Sequence, residues 1–434
     1  LLSLIVALTL TPYLGYIFLR EKEKVGKPHK AHVLEDAPIY KIYRKAIEPM
    51  LHSRWKRWTF IGGTVVVLLA SMALFYTKSV AVKMLPFDNK NEFQVVIDMP
   101  EGTTLERTAA VTKEIATYLS QQPMVRHYQN YIGTAAPMSF NGLVRHYDLR
   151  RGENVADIQV NLVDKKDRSI QSHDIVKEMR PGIQAIAKKY NANVKLVEVP
   201  PGPPVLSTIV AEVYGPDYEQ QVAIGEQIKQ LFASTADVVD VDWMVEAPQQ
   251  EYQLIVDKEK AMQYGIAPAQ VTATVQAAMS GMPVGSLHIP TSYSAVSMQL
   301  QLSDAAKNNI AAIQQLQIVG TQGYSVSIGD VTKLITTEKQ KSIYRKNQKR
   351  VVFVLADMAG SLESPFYAMN AISDKLKQIH LPKGYTLEEA YSQQPELEDN
   401  FTLKWDGEWQ ITYEVFRDLG TAFVVVIILI YMLI

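Results

Sequence analysis

The sequence predicts an α+β fold with membrane helices: two ferredoxin-like (split βαβ) units, the second interrupted by an inserted domain, flanked by transmembrane α-helices. Three observations predict it. Residues 1–19, 58–77 and 419–434 carry no charged side chain, and about 20 apolar residues in a helix cross the hydrocarbon layer of a bilayer. Between the last two runs, segments with strand and helix patterns follow the order strand, helix, strand, and that order occurs four times. Pro200-Pro201-Gly202-Pro203-Pro204 separates the first pair from the second, because successive prolines join neither a ladder nor a helix interior.

The apolar runs are read as two full spans, 1–19 and 58–77, and the start of a third, 419–434. Both ends of the 434-residue chain fall inside apolar runs and residue 1 is Leu, so the expectation is a piece of a polytopic membrane protein. No basic start with a small-residue cleavage site marks a signal peptide. The connector 20–57 holds eleven Lys and Arg against five acids, and short basic loops stay cytoplasmic. Residues 78–418, with 33 basic and 40 acidic residues, are then expected on the other side of the membrane. Their mild acidity argues against a nucleic-acid partner. The chain has no cysteine, which excludes a disulfide framework and a cysteine nucleophile.

Inside the connector, Pro38 opens a segment that puts Ile39, Ile42, Tyr43, Ala46 and Ile47 on one helical face and basic residues on the other. A helix on the cytoplasmic membrane surface is expected; Pro49 interrupts the pattern and keeps an irregular loop as the alternative. Trp55 and Trp58 sit where aromatics gather at a membrane boundary. Beyond the second span come strand 93–99, helix 103–122, strand 125–132, a polar loop 133–153, strand 155–163, helix 169–190 and strand 194–199. Thr103-Thr104-Leu105-Glu106 opens the first helix with a hydroxyl cap and an acid in the first turn. Pro181-Gly182 is expected to bend or break the second. After the proline linker come strand 208–214, helix 218–232, strand 238–245, and then, beyond an interruption, strand 350–357, helix 362–379 and strand 385–390. Helices 258–264, 268–279 and 310–316 and strand 294–302 make the interruption a small inserted domain.

Several chemistries are missing. No G-x-x-x-x-G-K-[ST] phosphate cradle and no H-E-x-x-H occurs. Asp240 and Asp242 point to one face of a strand, where a solvated face is favoured over acid–base work. Met279 and Met282, near a helix end, are read as core gap-fillers rather than a soft-metal site. No cofactor, metal centre or catalytic residue is expected, and any energy for transport comes from elsewhere in the molecule.

Four stretches then carry a resemblance, in order, over the whole chain. Leu8-Thr9-Leu10-Thr11-Pro12 comes first. Met84-Leu85-Pro86 with Met99-Pro100-Glu101-Gly102-Thr103-Thr104 follows. Val256-Asp257-Lys258-Glu259-Lys260-Ala261 with Tyr264-Gly265-Ile266, and Tyr344-Arg345-Lys346-Asn347 before 351–355, complete the set. The chain resembles the resistance–nodulation–division (RND) efflux permeases of bacterial inner membranes, from their sixth transmembrane helix into their eighth. The resemblance implies two periplasmic pore subdomains, the first at 91–199 and the second at 205–255 and 341–392, with a docking subdomain inserted at 256–340. It implies a homotrimeric proton antiporter of multidrug-resistance type, working with a periplasmic adaptor (membrane fusion) protein and an outer-membrane channel on small-molecule substrates. The family's proton relay lies in helices this chain does not contain, and intramembrane charges of that kind are costly enough to mark function.

Multidrug members line a greasy pocket with phenylalanines behind the first pore helix. Here the corresponding strand reads Tyr128-Gln129-Asn130-Tyr131, the returning strand carries Gln159, and Phe140 and Arg145 occupy the loop, with Arg150 and Arg151 nearby. Gln129, Tyr131, Phe140, Arg145 and Gln159 are therefore the candidate substrate-path residues, with strand packing or loop solvation as the plain alternative. Val96, Val155 and Val205 stand where copper and silver exporters carry methionines, which speaks against a copper or silver site. A more polar or amphipathic substrate is expected. Two other readings are carried beside efflux. One is a membrane-anchored extracytoplasmic scaffold or sensor; the other is an RND branch that exports lipid or protein.

Overall fold

The structure is a computed structural model and describes residues 2–18, 38–77, 88–137, 139–199, 205–360 and 363–433. Residues 20–37 of the connector, the stretch Met84-Leu85-Pro86 and the proline linker lie outside the described residues. The chain forms two compact units, Leu1–Ala81 and Val82–Ile434.

In the first unit, α1 (Leu2–Phe18), and α3 (Arg54–Tyr76) beyond its basic first turn, are apolar on all sides. A helix without a polar face has no reason to sit on a soluble core in a water-facing position. The stretch Arg54–Leu74 of α3 is long and apolar enough to cross a membrane, while α1 has 17 described residues. Between them, α2 (Pro38–His52) realises the helical alternative. It continues through Pro49 because only one N–H is lost there, and the Ser53 N–H donates back to the Pro49 carbonyl at 3.2 Å. Arg44 and Glu48, one turn apart on its exposed side, pair at 3.0 Å.

The second unit begins with β1 (Glu92–Asp98), α4 (Leu105–Ser120), β2 (Val125–Thr134), α5 (Phe140–Arg145), β3 (Arg151–Leu162), α6 (Ser172–Tyr190) and β4 (Asn193–Glu198). The four strands form one sheet in the order β2-β3-β1-β4, every neighbour antiparallel. Period-two alternation makes this sheet two-faced. Phe93, Val95 and Ile97 of β1, with Ala156, Ile158 and Val160 of β3, join Val111, Ile115 and Leu119 of α4 and Ile175, Met179 and Ile183 of α6 in one core. The intervening residues Gln94, Asp98, Asp157 and Lys195 face the other way. Thr104 takes the N-cap position of α4, yet its hydroxyl makes no capping bond.

Pro181 does not break α6, which is continuous across it. The helix is held by its buried face, and Gly182 lets the Tyr118 ring lie against its backbone. A Cβ at Gly182 would stand 2.3 Å from Tyr118 Cζ. Gly182→Ala is expected to destabilise the protein by about 1–3 kcal/mol through overpacking. Tyr118→Ala, which vacates the space, should then show favourable coupling with it in melting curves of the single and double variants.

The chain continues with β5 (Ile209–Tyr214), α7 (Tyr218–Ala233) and β6 (Val238–Trp243). An insertion follows, held at its base by β7 (Gln250–Val256) paired with β12 (Thr332–Glu338). Inside it lie α8 (Lys258–Gln263), α9 (Pro268–Ser280), the hairpin β8 (Met282–Leu287) and β9 (Val296–Leu300), α10 (Asp304–Lys307), α11 (Ile310–Gln314), the pair β10 (Gln317–Val319) and β11 (Ser325–Ser327), and α12 (Ile328–Val331). Its small core gathers Ala261, Ile266, Val271, Ile318, Ile328 and Val331. Met279 and Met282 are not gap-fillers: Met279 is exposed near the end of α9, and Met282 opens the β8–β9 hairpin, whose every strand residue is exposed.

After the short hairpin β13 (Arg345–Lys346) and β14 (Lys349–Arg350) come β15 (Val352–Met358), α13 (Pro365–Leu376), β16 (Leu387–Ala390), β17 (Phe401–Gly407) and α14 (Glu408–Leu433). The second sheet has the order β16-β17-β5-β15-β6. The expected closing strand near 385–390 forms as β16, but at the edge. The place beside β5 belongs to β17, whose Phe401, Leu403 and Trp405 enter the core with Ile209, Ala211, Val213, Ile228 and Phe232. The final helix starts at Glu408, eleven residues before the charge-free run. The Glu408 N–H donates to the Thr208 carbonyl at 3.2 Å, fastening the helix start to the sheet. Glu408–Met432 is long and apolar enough to cross a membrane.

Candidate functional site

The two sheets meet along a seam in which β4 and β6 lie side by side. Asp240 and Asp242 are not on a solvated face; both point into this seam. Asp240 pairs with Arg180 of α6 and accepts the Leu196 N–H at 3.0 Å, and its side chain is 1% exposed. Asp242 pairs with Lys195 of β4 and accepts from Asn193 Nδ2 at 3.2 Å. Lys195 also reaches Asp98 at 2.9 Å, and Arg150, from the loop before β3, holds Asp98 and Asp157 together. Burial by itself would raise the Asp98 carboxyl, but Lys195 and Arg150 outweigh it and bring its pKa down to about 2. At Asp157 burial wins, and its pKa lies above the usual value despite Arg150.

Arg145, one of the candidates, closes the next part of the seam. α5 sets it down on β15, where Nη1 donates to Asp357 Oδ2 at 2.7 Å; the two side chains are 7% and 14% exposed. Asp357 also accepts from Ser207 Oγ at 2.9 Å, the Thr208 N–H at 3.0 Å and Thr208 Oγ1 at 2.9 Å. Burial would raise Asp357; the guanidinium and these donors hold it well below the ordinary carboxylate range. A cavity of about 30 Å³, bordered by Arg145, His173, Lys177, Arg180 and Asp357, is large enough for a water and little more.

His173 of α6 binds carboxylates on both sides of the seam: Nδ1 meets Glu198 at 2.6 Å and Nε2 meets Glu363 at 2.8 Å. An imidazole donates from both nitrogens only when protonated. Burial works against the charge, yet the two carboxylates raise the pKa to about 9. A folded-state pKa above the free value of 6.5 adds stability that is complete below pH 6.5 and disappears as pH climbs through 9. His173→Gln should therefore flatten the fall in melting temperature between those pH values, measured side by side with the parent protein.

The other candidates lie on the outward face of the first sheet. Gln129 and Gln159 are register partners on β2 and β3. Tyr131 Oη donates to Gln129 Oε1 at 2.8 Å, and Gln159 Nε2 donates to Glu92 Oε2 at 3.2 Å. Gln129, Tyr131 and Gln159 thus share one polar patch, whereas Arg145 belongs to the seam. Phe140 opens α5, and its side chain lies outside the described residues. Glu92 and Gln94 join the patch without having been singled out; the alternation Glu92, Gln94, Val96 along β1 is the signal that marks them. Val96, Val155 and Val205 are all buried.

A sequence model of the AcrB/AcrD/AcrF family matches residues 1–404. The chain belongs to that family. It is an RND permease segment, as its residue stretches indicated, and such permeases are transporters rather than enzymes. The swarming motility protein SwrC of Bacillus subtilis is 19% identical over 438 residues, covering 99% of this chain and 37% of that protein. The nickel and cobalt resistance protein CnrA of Cupriavidus metallidurans is 20% identical over 404 residues, covering 89% of this chain and 35% of that protein. Among solved structures, crystal form II of a heavy metal efflux pump superposes with a TM-score of 0.66 at 17% identity, covering 99% of this chain and 40% of the pump. The RND chain described here therefore spans little more than a third of the length of these relatives.

Proposed function

We propose that this chain is the part of a proton-driven RND efflux transporter of the bacterial inner membrane that supplies the second periplasmic pore and docking region, through which substrate is expelled. The observation that carries this reading is the match of family sequence and pump fold over nearly the whole chain. The two sheets, each with its helices on one face, are read as ferredoxin-like pore subdomains. The first occupies 91–199, and the second 205–255 and 341–392 together with β17. Residues 256–340 are the docking part. α1, α3 and α14 are membrane helices, α2 lies at the cytoplasmic surface, and the sheets face the periplasm. The exposed apolar side chains of the β8–β9 hairpin, Val284, Leu287, Val296 and Met298 among them, suit contact with another protein. They support a homotrimer, a periplasmic adaptor and an outer-membrane channel as partners. Substrate passes the face of Gln129, Tyr131 and Gln159 and the start of α5 at Phe140, and Arg145 acts on that path by holding the seam.

The full-length protein, expressed in an efflux-deficient bacterium, is expected to lower accumulation of its substrates and to stop doing so when the proton gradient is dissipated. Phe140→Ala and Gln159→Ala are expected to alter which compounds are resisted at unchanged protein level. Extrusion that ignores the proton gradient defeats the coupling, and an unchanged resistance profile removes those residues from the path.

A further inference from the structure

One row across the polar face of the first sheet consists of three amides. Gln129 of β2, Gln159 of β3 and Gln94 of β1 are successive register partners, so neighbouring side chains stand about 4.8 Å apart and the row spans about 10 Å. Gln94 is 2% exposed; its Nε2 donates to Asp157 Oδ2 at 2.9 Å, and its buried Oε1 has no partner. Gln159 commits its Nε2 to Glu92 and Gln129 commits its Oε1 to Tyr131. An available acceptor on Gln159 thus stands beside an available donor on Gln129, next to the half-buried Tyr131. Of the ionic neighbours, Asp157 is matched by Arg150 and Asp98 by Arg150 and Lys195, while the exposed Glu92 carboxylate accepts the Gln159 amide. For a nickel-type ion, which favours imidazole, the face supplies one imidazole, His127, in the adjoining row. The described residues contain no cluster of three metal-donor side chains.

We propose that this amide row receives the uncharged, hydroxyl- or amide-bearing portion of the transported molecule, which makes neutral polar amphiphiles the ligand class of this chain in place of divalent metal ions. An amide presents one donor and one acceptor at fixed spacing, the pattern that a hydroxyl or a second amide answers without bringing charge to the sheet. The inference rests on the efflux reading above.

The test is isothermal titration of the full-length protein in lipid nanodiscs with decyl maltoside below its micellar concentration, empty nanodiscs serving as the reference. Nickel ion and decyltrimethylammonium are titrated in parallel. The maltoside is expected to bind, and Gln129→Ala and Gln159→Ala each to weaken it about tenfold. Gln159→Glu, which keeps the shape, should weaken it similarly. No maltoside binding above the reference overturns the proposal, as does affinity indifferent to all three variants, the result for a merely solvated face. Nickel or decyltrimethylammonium binding that is lost in the same variants overturns it too. Should the efflux reading fail instead, maltoside binding persists while cells carrying the protein gain no resistance.

Discussion

Arg145→Ala is expected to lower the melting temperature of the full-length protein by roughly 10 °C, the largest loss for any single side chain in the seam. The substitution strands the Asp357 carboxylate, 14% exposed, beneath Ser207 and Thr208 without its cation. Removing one member of a buried ion pair costs about 3–5 kcal/mol, and in domains of this size 1 kcal/mol moves the midpoint by about 2–4 °C. Asp357→Asn is expected to be milder at the Thr208 side, since an amide oxygen still accepts the backbone N–H, while Arg145 is left buried and charged. The paired change Arg145→Met with Asp357→Leu removes both charges and should recover much of the loss, as apolar replacements of buried pairs do. Thermal unfolding of the four proteins decides. A drop of under 2 °C for Arg145→Ala would mean that the pair is not buried in solution.

The architecture was readable wherever a residue pattern repeats at a fixed period. Alternation in 93–98 and 155–162 and the helical period of 105–120 located the first sheet and its helices to within a few residues, because one-sided burial imposes those periods directly. The break expected at Pro181 did not occur because a proline rule concerns an isolated helix; here the inner face of α6, from Ile175 to Ile186, is buried and keeps the helix continuous. The seam was hidden for another reason. Asp240 and Asp242 on a strand have the composition of a solvated face, and only the arrival of Arg180 and Lys195, 60 and 47 positions away in sequence, takes Asp240 out of water and leaves Asp242 partly covered. Likewise Gln129 and Gln159 were each visible, but register alone unites them with Gln94 in one row. Long-range pairing of polar groups leaves no local period to detect.

Trp405→Ala should be nearly as damaging as the loss of Arg145, and it examines the strand that the sequence reading passed over. Phe401, Leu403 and Trp405 alternate with polar residues, a legible strand signal, but they follow a polar stretch after the fourth strand had already completed the expected unit. In the structure Trp405 is fully buried. Its ring stacks on Phe232 of α7 with centroids 6.1 Å apart, and Nε1 donates to Glu389 Oε1 at 2.6 Å. Emptying such a site costs about 3–5 kcal/mol, and the Glu389 oxygen loses one of its donors. Trp405→Phe retains the stack and forfeits only the hydrogen bond, so its loss should be about 1 kcal/mol plus a modest cavity term. β17 runs straight into α14, so the damage is expected to reach that helix. Limited proteolysis of Trp405→Ala should open the 391–400 stretch ahead of β17 while leaving the first sheet protected. If the two variants melt together with the parent, β17 is not the strand that closes the second sheet.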